Sequence, residues 1–321
     1  PYIPSGDFPD SNGIDRVLIL PECEHQEPIG FFGSLGVYCF EFGLHLGMLS
    51  LSDFTPAGRP DSQGIGEFGL MGYGLFTGLG YIPPHPVAFN KLLMGWIDPY
   101  HLDPGTPTTG ILTPSERPGD PEACARVDIT GQEYWLLSYR LQDRDGNRIF
   151  SFPDDKNGNN IPDFWDADSP TGDGVPEWGA KFDAATDSIE VLAGAEWDFF
   201  MSEWTDTRQG VVIKGTGSGV YVWHVDEGVV ADVFEAESNL FNADPVRKSV
   251  DLEEADRIQD LDSNQNSTHL LGWDQDNFRG EGADEYGPGT RPPTDTNGGA
   301  ATGITFRDFS KVVADSMAYP L

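Results

Sequence analysis

Gly36-Val37-Tyr38-Cys39-Phe40-Glu41-Phe42-Gly43-Leu44-His45-Leu46-Gly47-Met48-Leu49-Ser50-Leu51-Ser52-Asp53 is the stretch whose reading decides the fold. Val37, Phe40, Leu44 and Met48 recur at spacings of three and four, one face of an α-helix, and predict a helix over residues 36–49. A second helix is expected over residues 86–95, carrying Val87, Leu92 and Met94. Outward from these two, the 39 Gly and 25 Pro are spread along the 321 residues and favour short strands and ordered loops over long helices. Runs rich in β-branched and aromatic residues predict strands at 16–20, 133–139, 210–213 and 219–225. Residues 143–187 are polar and rich in Asp, Asn and Gly, and read as an insertion between the second and third of these strands; residues 260–299 have the same character. The expected class is α+β and β-rich.

The composition sets the range of functions. A hydrophobic share of 38% and twenty Phe with eight Trp can build a sizeable core. The net charge of −34 argues against nucleic acid or an anionic membrane as partner, and bound cations would relieve the self-repulsion it creates. Three cysteines, Cys23, Cys39 and Cys124, allow at most one internal disulfide. No stretch approaches the roughly 18 apolar residues of a membrane helix. Residues 1–4 do not begin a signal peptide, so the targeting segment of an exported protein would lie upstream or have been removed. There is no GxSxG elbow, phosphate-binding Gly-rich loop or CxxCH haem site.

The opening segment resembles the active-site helix of the immune inhibitor A family of secreted zinc metallopeptidases, whose typical motif is His-Glu-Phe-Gly-His-x-Leu-Gly-Leu-Pro-Asp-Leu-Tyr-Asp. Glu41, Phe42, Gly43, Leu46, Gly47, Leu51 and Asp53 match it. Residues 64–74, with Met71, resemble the family's Met-containing turn, and Pro84, Lys91 and Gly95-Trp96-Ile97 resemble the helix that follows. Residues 133–137, 219–227, 251–256 and 302–304 fit the family in the same order, so the resemblance covers most of residues 35–317. It implies the remnant of a zincin-like domain at 1–125, with its front part missing, packed against a mainly antiparallel β lobe at 126–321 that carries an acidic insertion at 143–187 and long calcium-binding loops. A protein partner or self-assembly would complete the missing part.

The chemistry of that helix is not retained. A His-Glu-x-x-His helix places two imidazoles at i and i+4 on one face with the Glu beside them as general base. Here Phe40 and Leu44 occupy the two imidazole positions, and Ser50 stands where the family's third, acidic ligand would fall. Zinc is not expected, and Glu41 is a vestige without an activated water. His45, four residues after Glu41, shares a face with it; a buried Glu41–His45 pair satisfying itself is the expectation, with Phe40, Leu44 and Met71 filling the vacated metal cavity. His224, in an alternating strand beside Asp226 and Glu227, reads as a hydrogen-bonded core histidine ahead of a catalytic one.

Calcium is expected elsewhere. From Asp155, oxygen-bearing groups fall at positions one, three, five, seven, nine and twelve: Asp155, Asn157, Asn159, the Ile161 carbonyl, Asp163 and Asp166. That is the spacing of an EF-hand-like loop, as in dockerin repeats, with Asn160 in place of the usual glycine. Asp168, Asp173, Glu177, Asp274 and Asp276 are further calcium candidates, as is the acidic run Asp251, Glu253, Glu254 and Asp256. The expected function is that of a non-catalytic, calcium-stabilised structural or binding protein in an extracellular or cell-surface assembly. Two alternatives stand beside it: a metalloendopeptidase whose metal has moved to His45 with His85, His101 or His224, and a carbohydrate- or protein-binding module using Trp165, Trp178, Trp197 and Trp204.

Overall fold

The computed structural model describes residues 35–53, 62–80, 83–115, 122–142, 180–183, 188–191, 198, 201, 204–207, 210–213, 217–236, 238–263, 271–312 and 317–320. It opens with helix α1 (Leu35–Leu46), two 3-10 segments (Gly66–Phe68 and Tyr73–Gly80) and the short helix α2 (Ala88–Leu93). Strands β1 (Tyr100–Leu102), β2 (Thr109–Leu112), β3 (Cys124–Asp128) and β4 (Glu133–Arg140) follow. Then come β5 (Ala180–Asp183), β6 (Ser188–Val191), β7 (Trp204–Thr207), β8 (Gly210–Ile213) and β9 (Gly219–Asp226). Helix α3 (Glu227–Glu235), β10 (Val250–Leu252), β11 (Glu285–Tyr286), β12 (Phe306–Arg307) and β13 (Met317–Pro320) complete the order. The sequence-predicted strand at 16–20 lies outside the described residues.

A five-stranded sheet in the order β1-β3-β4-β9-β10 organises these elements, antiparallel throughout except for the parallel pair β1 and β3. The expected division at residue 125 falls inside β3, and strands from both sides of it share this sheet. The fold is therefore mixed helix and strand around a mainly antiparallel sheet. Pairs β2/β13, β5/β6, β7/β8 and β11/β12 stand as separate ribbons.

Strands β4 and β9 pair over their full length, from Glu133 opposite Asp226 to Arg140 opposite Gly219. Because side chains alternate across a strand, the apolar residues at both parities give the sheet two buried faces. Tyr134, Leu136, Tyr221, Trp223 and Val225 pack with Leu51, Ile65, Phe68 and Phe89 from the helical half. Trp135, Leu137, Tyr139, Val220 and Val222 pack with Phe278, Tyr286, Phe306 and Phe309 from the C-terminal loops. The edges of Tyr286 and Phe306 meet the Trp135 ring at interplanar angles of 85° and 89°, the arrangement that aromatic quadrupoles favour.

Helix α1 ends earlier than the apolar period predicts. Gly47 takes φ +109°, its N–H donates to the Leu44 carbonyl, and the Met48 N–H reaches back to the Gly43 carbonyl at 2.9 Å. These are the bonds of a Schellman cap, and the left-handed residue they require is glycine. Helix α3 was not expected. Asp226 caps it, its carboxylate accepting from the Gly228 and Val229 N–H groups.

Buried polar side chains tie the helical half to the sheet. Asn242 is fully buried; its amide donates to the Leu51 and Val250 carbonyls, and its oxygen accepts from Ser249 and the Val250 N–H. Arg140, buried at the end of β4, donates to both carboxylate oxygens of buried Asp198 and to the carbonyls of Phe68 and His85. Asp198 also accepts from the His85 N–H at 3.0 Å. Replacing Asp198 by Ala leaves a buried guanidinium without its paired carboxylate, and the expected cost is about 3–5 kcal/mol. It would be read as a lowered urea midpoint at unchanged m-value.

Candidate functional site

The helix that carries the peptidase resemblance packs its replaced positions into an apolar cluster. Phe40 is buried with Met48, Leu70, Met71 and Leu75, and Leu44 packs partly against the same group. Gly43 lets the methionines come close: a Cβ there would stand 2.8 Å from the Met71 sulfur, which would have to shift. Ser50 is buried, and its hydroxyl has no hydrogen-bond partner. Glu41 is half-buried and His45 is exposed. The expectation of a buried Glu41–His45 pair is thus corrected. In a helix that buries Gly36, Phe40 and Gly43, His45 lies about 200° around the axis from Gly43 and faces away.

The other histidines proposed for a relocated metal stand in separate surroundings. His85 lies beside Lys91, Arg140 and Asp198; burial, followed by the charge of Lys91, pushes its pKa down to about 3. His101 is exposed, 3.6 Å from Asp128. Among the described residues, no three His, Cys, Asp or Glu side chains form a group that could hold a metal. Cys39 and Cys124 are free thiols, and burial raises the Cys124 pKa to about 12.

His224 occupies the most elaborate polar site. It lies on the same face as Trp135, its pairing partner on β4, with the rings 5.8 Å apart. Nε2 is 3.1 Å from Glu133 Oε2 and Nδ1 is 3.3 Å from Glu253 Oε1. The sequence neighbours Asp226 and Glu227 do not supply these contacts; Asp226 is used as the α3 cap and pairs with Arg247 at 2.8 Å. Glu133 also accepts from the Asn297 N–H at 2.8 Å, which draws the 297 loop onto the sheet. Beside Glu253, Asp251 and Asp262 share the fully buried ammonium of Lys248.

Burial alone would lower the His224 pKa. The hydrogen bond to Glu253 and the charges of Glu253, Asp251 and Glu133 outweigh it and hold the ring above its ordinary value. With both nitrogens within reach of carboxylates, the ring is a structural cross-link between β4, β9 and the end of β10. Both nitrogens are taken up by these contacts, so neither faces an open position for a metal or a substrate. Lys248 and Glu133 were not singled out from sequence, because neither the register β4/β9 nor the return of residue 248 to the sheet is written in local pattern.

Of the calcium candidates, Asp155, Asn157, Asn159, Ile161, Asp163, Asp166, Asp168, Asp173 and Glu177 lie outside the described residues. So do Trp165, Trp178 and Trp197, while Trp204 opens β7. Asp274 is half-buried, and its carbonyl accepts from Asn277 and Arg279. Asp276 is buried, one carboxylate oxygen accepting from the Trp273 N–H at 2.7 Å. Burial raises its pKa well above the usual carboxylate range, and so do the charges of Asp256, Asp260 and Asp274. Glu254 is raised in the same way by burial and by Asp276.

Comparison with protein families, with curated proteins and with solved structures finds no match for this chain.

Because the His224 pKa is raised in the folded state, its contribution to stability is complete below its ordinary value of 6.5 and is lost as the pH rises through the folded-state value. The stability difference between wild type and His224→Gln is therefore expected to be greatest at acidic pH and to shrink above neutrality. Urea titrations across pH 5 to 9 would show it, and a difference that grows with pH would contradict the assignment.

Proposed function

We propose that this chain is a non-catalytic relative of the immune inhibitor A metallopeptidases, acting as a calcium-stabilised structural or binding protein in a secreted or cell-surface assembly. The observation that carries this reading is the apolar cluster around α1. Phe40 and Leu44, which stand where two imidazoles would bind zinc, pack with Met71, and Ser50 is buried nearby in sequence with no charge to offer a metal. Neither a phenyl ring nor an isobutyl group has a lone pair, so Glu41 has no metal-bound water to activate.

The binding half of the proposal draws on exposed apolar residues in the same half of the chain: Phe42 and Leu46 on α1, Phe76 in the following 3-10 segment, and Leu93 and Trp96 at and after the end of α2. Their exposure is the feature that favours a protein partner or a second copy of the chain. Among the described residues no helix is long and apolar enough to cross a membrane. The calcium half draws on the oxygen spacing of residues 155–166 and on the net charge of −34, which bound cations would offset.

Elemental analysis of the purified protein is expected to find no stoichiometric zinc, and casein is expected to remain uncleaved under added zinc, manganese or calcium. Bound zinc together with cleavage that Glu41→Gln abolishes would overturn the reading. Chelation is expected to lower the melting temperature, and Asp155→Ala to remove the loop's share of that shift, because an ion bound only by the native state stabilises it.

A further inference from the structure

Two buried carboxylates in the C-terminal half are only half satisfied. Glu254 and Asp276 are each 1% exposed. Their backbones are drawn together by the Ala255 N–H, which donates to the Asp276 carbonyl at 3.2 Å. One oxygen of each side chain is fixed: Glu254 Oε1 accepts from the N–H groups of Asp260 (2.8 Å) and Leu261 (3.2 Å), and Asp276 Oδ2 from that of Trp273 (2.7 Å). The remaining oxygens, Glu254 Oε2 and Asp276 Oδ1, are buried and have no hydrogen-bond partner.

The electrostatics make this arrangement costly for the protein alone. Asp276 is the strongest charge acting on Glu254, and Asp256, Asp260 and Asp274 act on Asp276. The cation that reaches Glu254 is Lys248, which already bonds Asp251 and Asp262. A buried oxygen without a partner costs about 1–3 kcal/mol, more when charged. A cation bound between them would satisfy both, and a ligand set made of oxygens selects a hard one.

We propose that Glu254 Oε2 and Asp276 Oδ1 bind a calcium ion, whose shell is completed by backbone and water oxygens. Two side-chain ligands fall short of three, but calcium takes about six to eight oxygens and accepts carbonyls and waters among them. Magnesium, which demands near-ideal octahedral geometry and keeps several waters, fits a buried pair less well. This site deepens the calcium dependence proposed above, yet it rests on different residues from the 155–166 loop and stands or falls apart from it.

The test uses the full chain carrying Asp155→Ala and Asp163→Ala, which disables the loop, titrated with calcium chloride after exhaustive chelation. Calorimetry is expected to show one remaining calcium site, and saturating calcium to raise Tm by about 5 °C. Adding Glu254→Gln and Asp276→Asn is expected to abolish both. A loop-disabled protein that gives no calcium heat and no shift while the wild type still responds would overturn this site and leave the loop standing. An undiminished response after Glu254→Gln and Asp276→Asn would overturn it too. Should the fourfold variant fail to fold, terbium bound to the loop-disabled protein gives the second measurement. Emission excited through the protein's tryptophans should fall by more than half in the single variant Glu254→Gln, which removes one of the two ligands; unchanged emission would count against the site.

Discussion

Everything described in this chain hangs on the pairing of β4 with β9, eight residues against eight and buried on both faces. A strand pair covered on both sides cannot slip by one residue without exchanging its two cores. The helical half would then meet Trp135 and Leu137 in place of Tyr134 and Leu136, and the C-terminal loops would face the wrong set in turn. The register therefore fixes which half of the chain covers which face. It also fixes where the polar residues at the strand ends emerge: Glu133, His224 and Asp226 at one end, Arg140 at the other.

Those ends are where the strongly acidic chain places two of its buried cations. Arg140 and Lys248 are both nearly inaccessible, and each is held by carboxylates, Asp198 in one case and Asp251 with Asp262 in the other. His224 is enclosed by Glu133 and Glu253 in the same manner. Burying a charge is tolerable only when it is paired and hydrogen-bonded. The chain has 19 Lys and Arg against 53 Asp and Glu, so these three cationic groups find carboxylates readily, while the carboxylates have few cations to share. The consequence is uneven: some acidic residues are tightly paired and others are buried with an oxygen to spare.

Much of this could be read from local sequence, and what could not has physical causes. The apolar runs at 133–139 and 219–225 announced the central strands, because a strand buried on both faces needs apolar residues at both parities. The period of Val37, Phe40 and Leu44 announced α1 but overran its end, since Met48 continues the apolar period after Gly47 has already turned the backbone. Helix α3 was hidden because Asp226 and Glu227 looked like partners for His224 when Asp226 is a cap. The true partners of His224 come from 91 residues before it and from beyond β10; long-range pairing of that kind leaves no local pattern. The exposure of His45 was legible in principle, being set by the angle between it and Gly43, but spacing from Glu41 alone pointed the wrong way.

The adjacent residues Glu253 and Glu254 show how sharply the environment divides chemically similar groups. Glu253 meets an imidazole, and its hydrogen bond and its charge both act to raise the pKa of that ring. Glu254, one residue on, meets two backbone N–H groups with one oxygen and nothing with the other, and Asp276, the strongest charge acting on it, is in the same condition. If the fold needed only a neutral polar pair at the second position, Gln and Asn would meet the same backbone donors at far lower electrostatic cost, since neither repels the other when buried. Two carboxylates with their free oxygens unspent make sense where a third charge completes them. That is the same reasoning by which Phe40 and Leu44 on α1 speak against a metal: a site is recognised by what its side chains are left to bond once the fold has used what it needs.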